Sequence, residues 1–181
     1  MSEASGGPVD VIGYSMGGIL ALKLAHEYPE LVSSLVLMAL PLRLPSWQER
    51  GLGFLSRNLP ESILNSRLLS WPKIGGLDIS NTKLVHDVPR MRAMPIGAAA
   101  SLVEMSKSVL KILEEVRQPT LLMHSTNDRV VPFESSLELM RRLGSRPLEY
   151  QWLSKSRHAL CQDVEKELVF EAVTKFISRH F

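Results

Sequence analysis

Ser15 stands in the run Gly13-Tyr14-Ser15-Met16-Gly17-Gly18, between an apolar stretch, Val9 to Ile12, and a helix-like stretch from Met16 to Tyr28. A strand that turns sharply into a helix with serine at the apex is the G-x-S-x-G nucleophile elbow. The geometry explains the residue types. The serine backbone is strained, so Gly13 and Gly17 are expected to lack side chains where strand and helix pack closely. The Ser15 hydroxyl then stands at a helix N-terminus, where the Met16 amide and the helix dipole stabilise a developing oxyanion. A serine hydroxyl is a weak nucleophile near neutral pH, so it needs a base, and the base needs an orienting carboxylate. The simpler reading of Ser15 is a residue that only caps the helix.

Elements of alternating type must bring those partners together. The first strand is read as Val9 to Tyr14, with its helix ending before Pro29, and Leu31 to Leu40 as a second strand buried on both faces. From Pro41 to Pro95, Gly, Pro and Ser interrupt short amphipathic pieces, Trp47 to Leu59 and Ser62 to Trp71, which read as an insertion of short helices. A helix over Gly97 to Val116 carries Leu102, Met105, Val109, Ile112 and Leu113 on one face. Thr120 to His124 and Leu148 to Leu153 read as third and fourth strands. Between them lies a helix from Glu134 to Leu143, with Gly144 as its C-terminal cap. The last helix is read from Val164 to His180, with Asp163 as N-cap and Glu165 and Glu167 suiting its dipole. Its core-facing stripe is Leu168, Ala172, Val173, Phe176 and Ile177. Alternating strands and helices imply a parallel sheet covered on its faces.

In open parallel sheets, chemistry collects at the C-terminal ends of the strands. Ser15 ends the first strand, Asp128 follows the third and His158 follows the fourth. Asn127-Asp128 also suits a plain turn. Asp163 is a competing carboxylate that a helix cap explains. His26, His86 and His180 fall in helices or the insertion, and His124 lies inside a strand as a packed or hydrogen-bonded histidine. Cys161 neighbours His158, but no elbow or helix N-terminus activates it.

These residues carry a resemblance. Gly13 to Gly18, the segment Pro119 to Pro132 with Asp128, and Ser156 to Asp163 with His158 resemble the carboxylesterase and monoacylglycerol-lipase group of α/β-hydrolases, of the serine aminopeptidase S33 type. The order Ser, Asp, His is the one expected for that superfamily. The resemblance implies Ser15 as nucleophile, Asp128 as acid, His158 as base and Met16 N–H as an oxyanion donor. It implies an α/β fold, a partial α/β-hydrolase with about four parallel strands flanked by helices and a helical cap insertion. Residues 1–40 and 97–181 would form the incomplete core and residues 41–96 the cap over an acyl pocket. One departure is Arg157, where glycine is common before the histidine. The larger departure is at the N-terminal side, where the family has strands beside the elbow strand and a loop supplying a second oxyanion amide; no stretch here reads as either. The elbow strand is therefore expected at a sheet edge, open to homodimerisation.

Composition excludes other classes. Lys and Arg number 21 against 19 Asp and Glu, a formal charge of +2 without basic clusters, so no nucleic-acid footprint is present. One cysteine precludes an internal disulfide and a cysteine-based metal site. The N-terminal residues lack a signal-peptide core, and the most apolar stretch, Leu31 to Leu44, is broken by Ser33, Ser34, Pro41 and Arg43, so no membrane span and a cytoplasmic location are expected. No cofactor or metal is called for. Trp47, Phe54, Trp71, Met91, Met94 and Met105 either line an acyl pocket or form the insertion's own core. The expected activity is serine ester hydrolysis on a small-molecule ester with an apolar acyl group. The alternative is a catalytically inactive half-domain, an interaction module or the product of an incomplete gene model. A related hydrolase of thioesters or carbon–carbon bonds shares the same three residues.

Overall fold

The computed structural model describes residues 6–64, 70–72, 78–84 and 93–179. Four strands, β1 (Val9–Tyr14), β2 (Val32–Met38), β5 (Thr120–Ser125) and β6 (Leu148–Leu153), pair in parallel in the order β1-β2-β5-β6. Every neighbouring pair is consecutive among these four, so each connection crosses over on one face of the sheet. Helices α1 (Met16–Glu27), α4 (Ile96–Ile112), α5 (Glu134–Arg142) and α6 (Lys166–Ile177) supply the covering layers.

The two-residue period of a strand decides which face each side chain serves. Leu35 and Leu37 of β2 and Leu122 of β5 point to one side, where they pack with Ile19 and Leu22 of α1, Val109 of α4 and Leu139 of α5. Val36 and Met38 of β2, Leu121 and Met123 of β5 and Leu153 of β6 point to the other, against Val169 and Phe176 of α6. A strand covered on both faces has no polar alternation, which is why β2 and β5 are near-continuous apolar runs. The α6 stripe differs in phase from the expected one. Val169 is buried beside Phe176, with Ala172, Val173 and Ile177 packed alongside, while Leu168 is exposed.

Among its described residues the insertion is only partly helical. These hold α2 (Ser46–Asn58), a single turn, α3 (Glu61–Leu64), and a 3-10 turn at Thr82–Leu84. The stretch read as a helix from Ser62 to Trp71 ends instead in β3 (Ser70–Pro72), which pairs antiparallel with β4 (Ala93–Pro95). Leu52, Leu64, Ile96, Ala99 and Val103 make a small separate apolar cluster, with Met94 against it. Met105 packs against the main core, and Trp47 and Phe54 are largely exposed. The side chain of Trp71, along with Met91, His86 and His180, lies outside the described residues.

Two further expectations are corrected. Gly144 is not a left-handed helix cap. It lies where its N–H donates to Leu113 O at 2.9 Å and an added Cβ would collide with Glu114 O, so close backbone approach explains the glycine. Asp163 does not cap α6. That helix begins at Lys166, after a short 3-10 turn at Leu160–Gln162, and the Asp163 carboxylate is committed elsewhere.

Candidate active site

The elbow is built by backbone. Ser15 takes φ 52° and ψ −121°, in the region that favours glycine, and its N–H donates to Met38 O at 2.8 Å, continuing the β1–β2 ladder one residue beyond the strand. Its hydroxyl makes no helix-capping hydrogen bond, so the plain N-cap reading does not describe it. Gly13 is required: a Cβ there would meet Gly18 Cα at 2.5 Å and Gly17 O at 2.7 Å. Gly17 is not, because a Cβ there meets nothing within 4 Å. Gly18 takes the packing role assigned to Gly17, since a Cβ on it would collide with the Leu40 side chain. The strand therefore crosses the helix one residue later than the motif's spacing suggests. Met16 is the first residue of α1, where backbone N–H groups have no intrahelical acceptor.

The folded chain brings Ser15, Asp128 and His158 together at one rim of the sheet. His158 Nε2 lies 3.2 Å from Ser15 Oγ, and His158 Nδ1 lies 2.8 Å from Asp128 Oδ2. The residues are 143 and 30 positions apart in the chain. The Asp128 side chain is fully buried, whereas the His158 ring is partly accessible. Asp128 Oδ1 accepts the N–H groups of Val130 and Val131 at 2.8 and 2.9 Å, which holds the carboxylate in its own turn. The turn reading thus describes one oxygen of the carboxylate, and the other faces His158. Burial opposes ionisation of Asp128, but the two imidazoles beside it and the Val131 N–H outweigh burial and hold it well below the usual carboxylate range.

The second imidazole is His124. It is buried in β5, its Nδ1 is 2.5 Å from Ser136 Oγ, and its Nε2 is 3.2 Å from Asp128 Oδ2. That approach is off the axis of a well-formed hydrogen bond, so the His158 contact is the aligned one. Sequence identified His124 as a packed, hydrogen-bonded residue. Its place beside the acid was missed, although the i, i+4 spacing from His124 to Asp128 was visible. Tyr14 was missed too. Its hydroxyl donates to His158 O at 3.1 Å, and the two rings lie 5.3 Å apart. Burial first, and then the Asp128 charge, push its phenol well above the ordinary tyrosine range, so it stays a donor.

The loop bearing His158 has no ladder partner, and carboxylates take its N–H groups in turn. Glu165 accepts those of Ser154, Lys155 and Ser156 at 3.3, 2.9 and 2.6 Å. Asp163 accepts Arg157 N–H at 2.8 Å and Asp78 accepts His158 N–H at 3.2 Å. Glu165 and Asp163 are both held below their usual range, because these N–H donors outweigh the cost of burial. Arg157 accordingly fits the loop without glycine's freedom, its guanidinium 3.9 Å from Asp78. Cys161 sits 3.8 Å from Met38 Sδ, and burial raises its thiol above the ordinary range.

An apolar cleft of about 350 Å³ opens between β1, β2 and α6, lined by Ile12, Met38, Cys161, Val169, Phe170, Val173 and Thr174. Among the described residues, its lining includes neither Ser15 nor any residue of the insertion. Among the described residues, no group of three or more His, Cys, Asp or Glu is placed to hold a metal ion, and no helix is long and apolar enough to cross a membrane.

The chain is similar to a carboxylesterase of Bacillus subtilis, with 22% identity over 92% of the chain and 62% of that enzyme. It is similar to a monoacylglycerol lipase of Mycolicibacterium smegmatis, with 24% identity over 96% of the chain and 63% of the lipase. It thus spans less than two thirds of either enzyme's length. Among solved structures it superposes on one described under the metagenome-derived lipolytic enzymes LipS and LipT, with a TM-score of 0.79 and 27% identity over 96% of the chain and 66% of that chain. A monoacylglycerol lipase from Paleococcus ferrophilus shares the fold, with a TM-score of 0.75 at 20% identity over 97% of the chain and 70% of the lipase. Residues 1–165 match the family described as serine aminopeptidase, S33, under the heading Hydrolase_4. With its parallel sheet and its Ser15–His158–Asp128 cluster, the chain belongs to that family of α/β-hydrolases.

Proposed function

We propose that the protein is a serine ester hydrolase that acts through an acyl-enzyme on Ser15. The observation that carries this reading is the continuous contact from Ser15 Oγ through both nitrogens of His158 to a buried, ionised Asp128. With Asp128 accepting from Nδ1–H, the other nitrogen is left free of a proton and faces the hydroxyl. His158 Nε2 takes the Ser15 proton as Oγ attacks the ester carbonyl. The Met16 N–H and the α1 dipole stabilise the oxyanion. The imidazolium then gives its proton to the leaving alcohol. Water, deprotonated by His158 in turn, releases the acid and restores the serine. No cofactor enters this sequence.

The surroundings support the substrate class in this reading. Met16 and Val130, neighbours of Ser15 and Asp128, expose large apolar side chains, which suits a small or medium apolar acyl group. We read residues 1–40 and 97–181 as the catalytic core and residues 41–96 as its cap, a division supported by the small cluster, apart from the main core, through which α2 and α3 pack on the first turns of α4. A reducing, cytoplasmic setting belongs to the same reading, and the free Cys161 is compatible with it. β1 pairs only with β2 among the described residues and exposes Val9 and Ile12, so self-association through that edge belongs to the same reading. Light scattering after size exclusion tests it: a dimer at rising concentration supports the edge contact, and a monomer throughout contradicts it.

Hydrolysis of nitrophenyl esters of increasing acyl length tests the activity. Wild type is expected to exceed Ser15→Ala by about four orders of magnitude or more in kcat. Equal rates in the two proteins would favour the inactive, interaction-module alternative.

A further inference from the structure

The Asp78 carboxylate lies in the insertion, yet its strongest contacts are to the two loops that carry the acid and the base. Its Oδ2 accepts Arg129 N–H at 2.8 Å, one residue beyond Asp128, and His158 N–H at 3.2 Å. Its Oδ1 faces the Arg157 guanidinium at 3.9 Å, and its own carbonyl accepts Ala159 N–H at 3.1 Å. Its side chain is 7% exposed. The bond is returned from the other side. Asp163 accepts Ser80 N–H at 2.7 Å and Asn81 N–H at 3.0 Å, and Ser80 Oγ donates to Lys155 O at 2.7 Å. Residues 78–81 are therefore tied to the histidine loop at both ends, with Ile79 buried between.

We propose that Asp78 is a positioning residue for the triad, a staple from the insertion that fixes the spacing between the acid loop and the base loop. The contacts to Arg129 and His158 share one oxygen, so the two loops cannot separate without breaking a buried hydrogen bond. A carboxylate oxygen is suited to this because it has lone pairs for both donors. The imidazole must stay within hydrogen-bonding reach of Ser15 and Asp128 together, and displacement by about 1 Å costs on the order of a hundredfold in rate. Glu165 and Asp163 hold the same loop from within its own segment. Asp78 alone among the three reaches it from the insertion, and alone binds the acid loop.

The inference rests on the ester-hydrolase reading of the triad, and two readouts separate them. One is the kcat and KM of nitrophenyl ester hydrolysis; the other is the low-field proton resonance of the His158 Nδ1–H donated to Asp128, which needs no turnover. Asp78→Ala is expected to lower kcat on the order of a hundredfold with KM little changed, and to weaken or abolish the resonance. Asp78→Asn keeps an oxygen for both N–H groups and is expected to recover most of the rate and the resonance. Asp78→Glu keeps the charge but moves the carboxylate by one methylene, so it is expected to fall below Asp78→Asn. If Asp78→Ala fails to fold, the Asn and Glu variants decide. A rate for Glu above that for Asn would overturn positioning in favour of charge, as would an Ala variant with wild-type kcat and resonance. Should wild type turn over no ester, a resonance present in it and lost in Asp78→Ala sustains the staple while the ester reading falls. A resonance untouched by Asp78→Ala overturns the staple in either case.

Discussion

The elbow and the histidine loop sit face to face, and they are built in opposite ways. The elbow is local: six residues, a positive φ at Ser15, one close Gly13–Gly18 crossing and the β1–β2 ladder carried on to Ser15. The histidine loop is assembled from a distance, with Asp78, Asp163 and Glu165 accepting the N–H groups of residues 154 to 158. Backbone sterics fix Ser15, whereas side-chain acceptors fix His158. Ser15 sits in a strained turn that tolerates few residue types. The loop of His158 needs only acceptors within reach of its N–H groups, and three carboxylates from different segments supply them.

The largest effect should come where the two regions meet. Asp128→Asn leaves the volume intact but removes the acceptor that fixes the His158 tautomer, and kcat is expected to fall about 10⁴-fold. A loss of only a few-fold in ester hydrolysis would break the link between the regions.

Next comes a contrast within the elbow. Gly13→Ala drives a methyl into the Gly18 backbone, and a cost of about 3 kcal/mol or more is expected. Gly17→Ala meets open space at the start of α1 and is expected to be neutral or stabilising by up to about 1 kcal/mol. Urea unfolding midpoints of the two variants check this, and equal destabilisation would show that the crossing has been misplaced by one residue.

The base-bearing region should respond to acid. Asp163 has a folded-state pKa below its unfolded value, so its stabilisation is present above the ordinary carboxylate range and is lost as pH falls through the folded pKa. Asp163→Asn should therefore be less stable than wild type near neutral pH, and the gap should close below about pH 4. Unfolding measured from pH 7 to 3 tests the sign; a gap that widens in acid would contradict it. The smallest effects separate neighbours on α6. Val169→Ala is expected to cost about 1–3 kcal/mol, and Leu168→Ser to stay within about 0.5 kcal/mol.

The same contrast governs what could be read before folding. The four parallel strands were legible because burial on both faces leaves apolar runs, and Ser15, Asp128 and His158 because each follows a strand end. The second imidazole beside Asp128, His124, was read as a packed or hydrogen-bonded strand residue, without its partner. Asp163 resembled a helix cap because capping residues and loop acceptors are the same residue types, and only the three-dimensional path distinguishes them. Asp78 left no signal at all, since its donors are 51 and 80 residues away. Gly17 was preferred over Gly18 because motif spacing marks which glycines recur, not which one the opposing backbone touches. In the insertion, β3 and β4 are three residues each, too short to show a period.

Covalent labelling tests the central claim most directly. A fluorophosphonate probe followed by peptide mapping should place the adduct on Ser15, with labelling slowed strongly in both His158→Ala and Asp128→Asn and absent in Ser15→Ala. An adduct on another residue, or equal labelling rates in wild type and His158→Ala, would contradict the account.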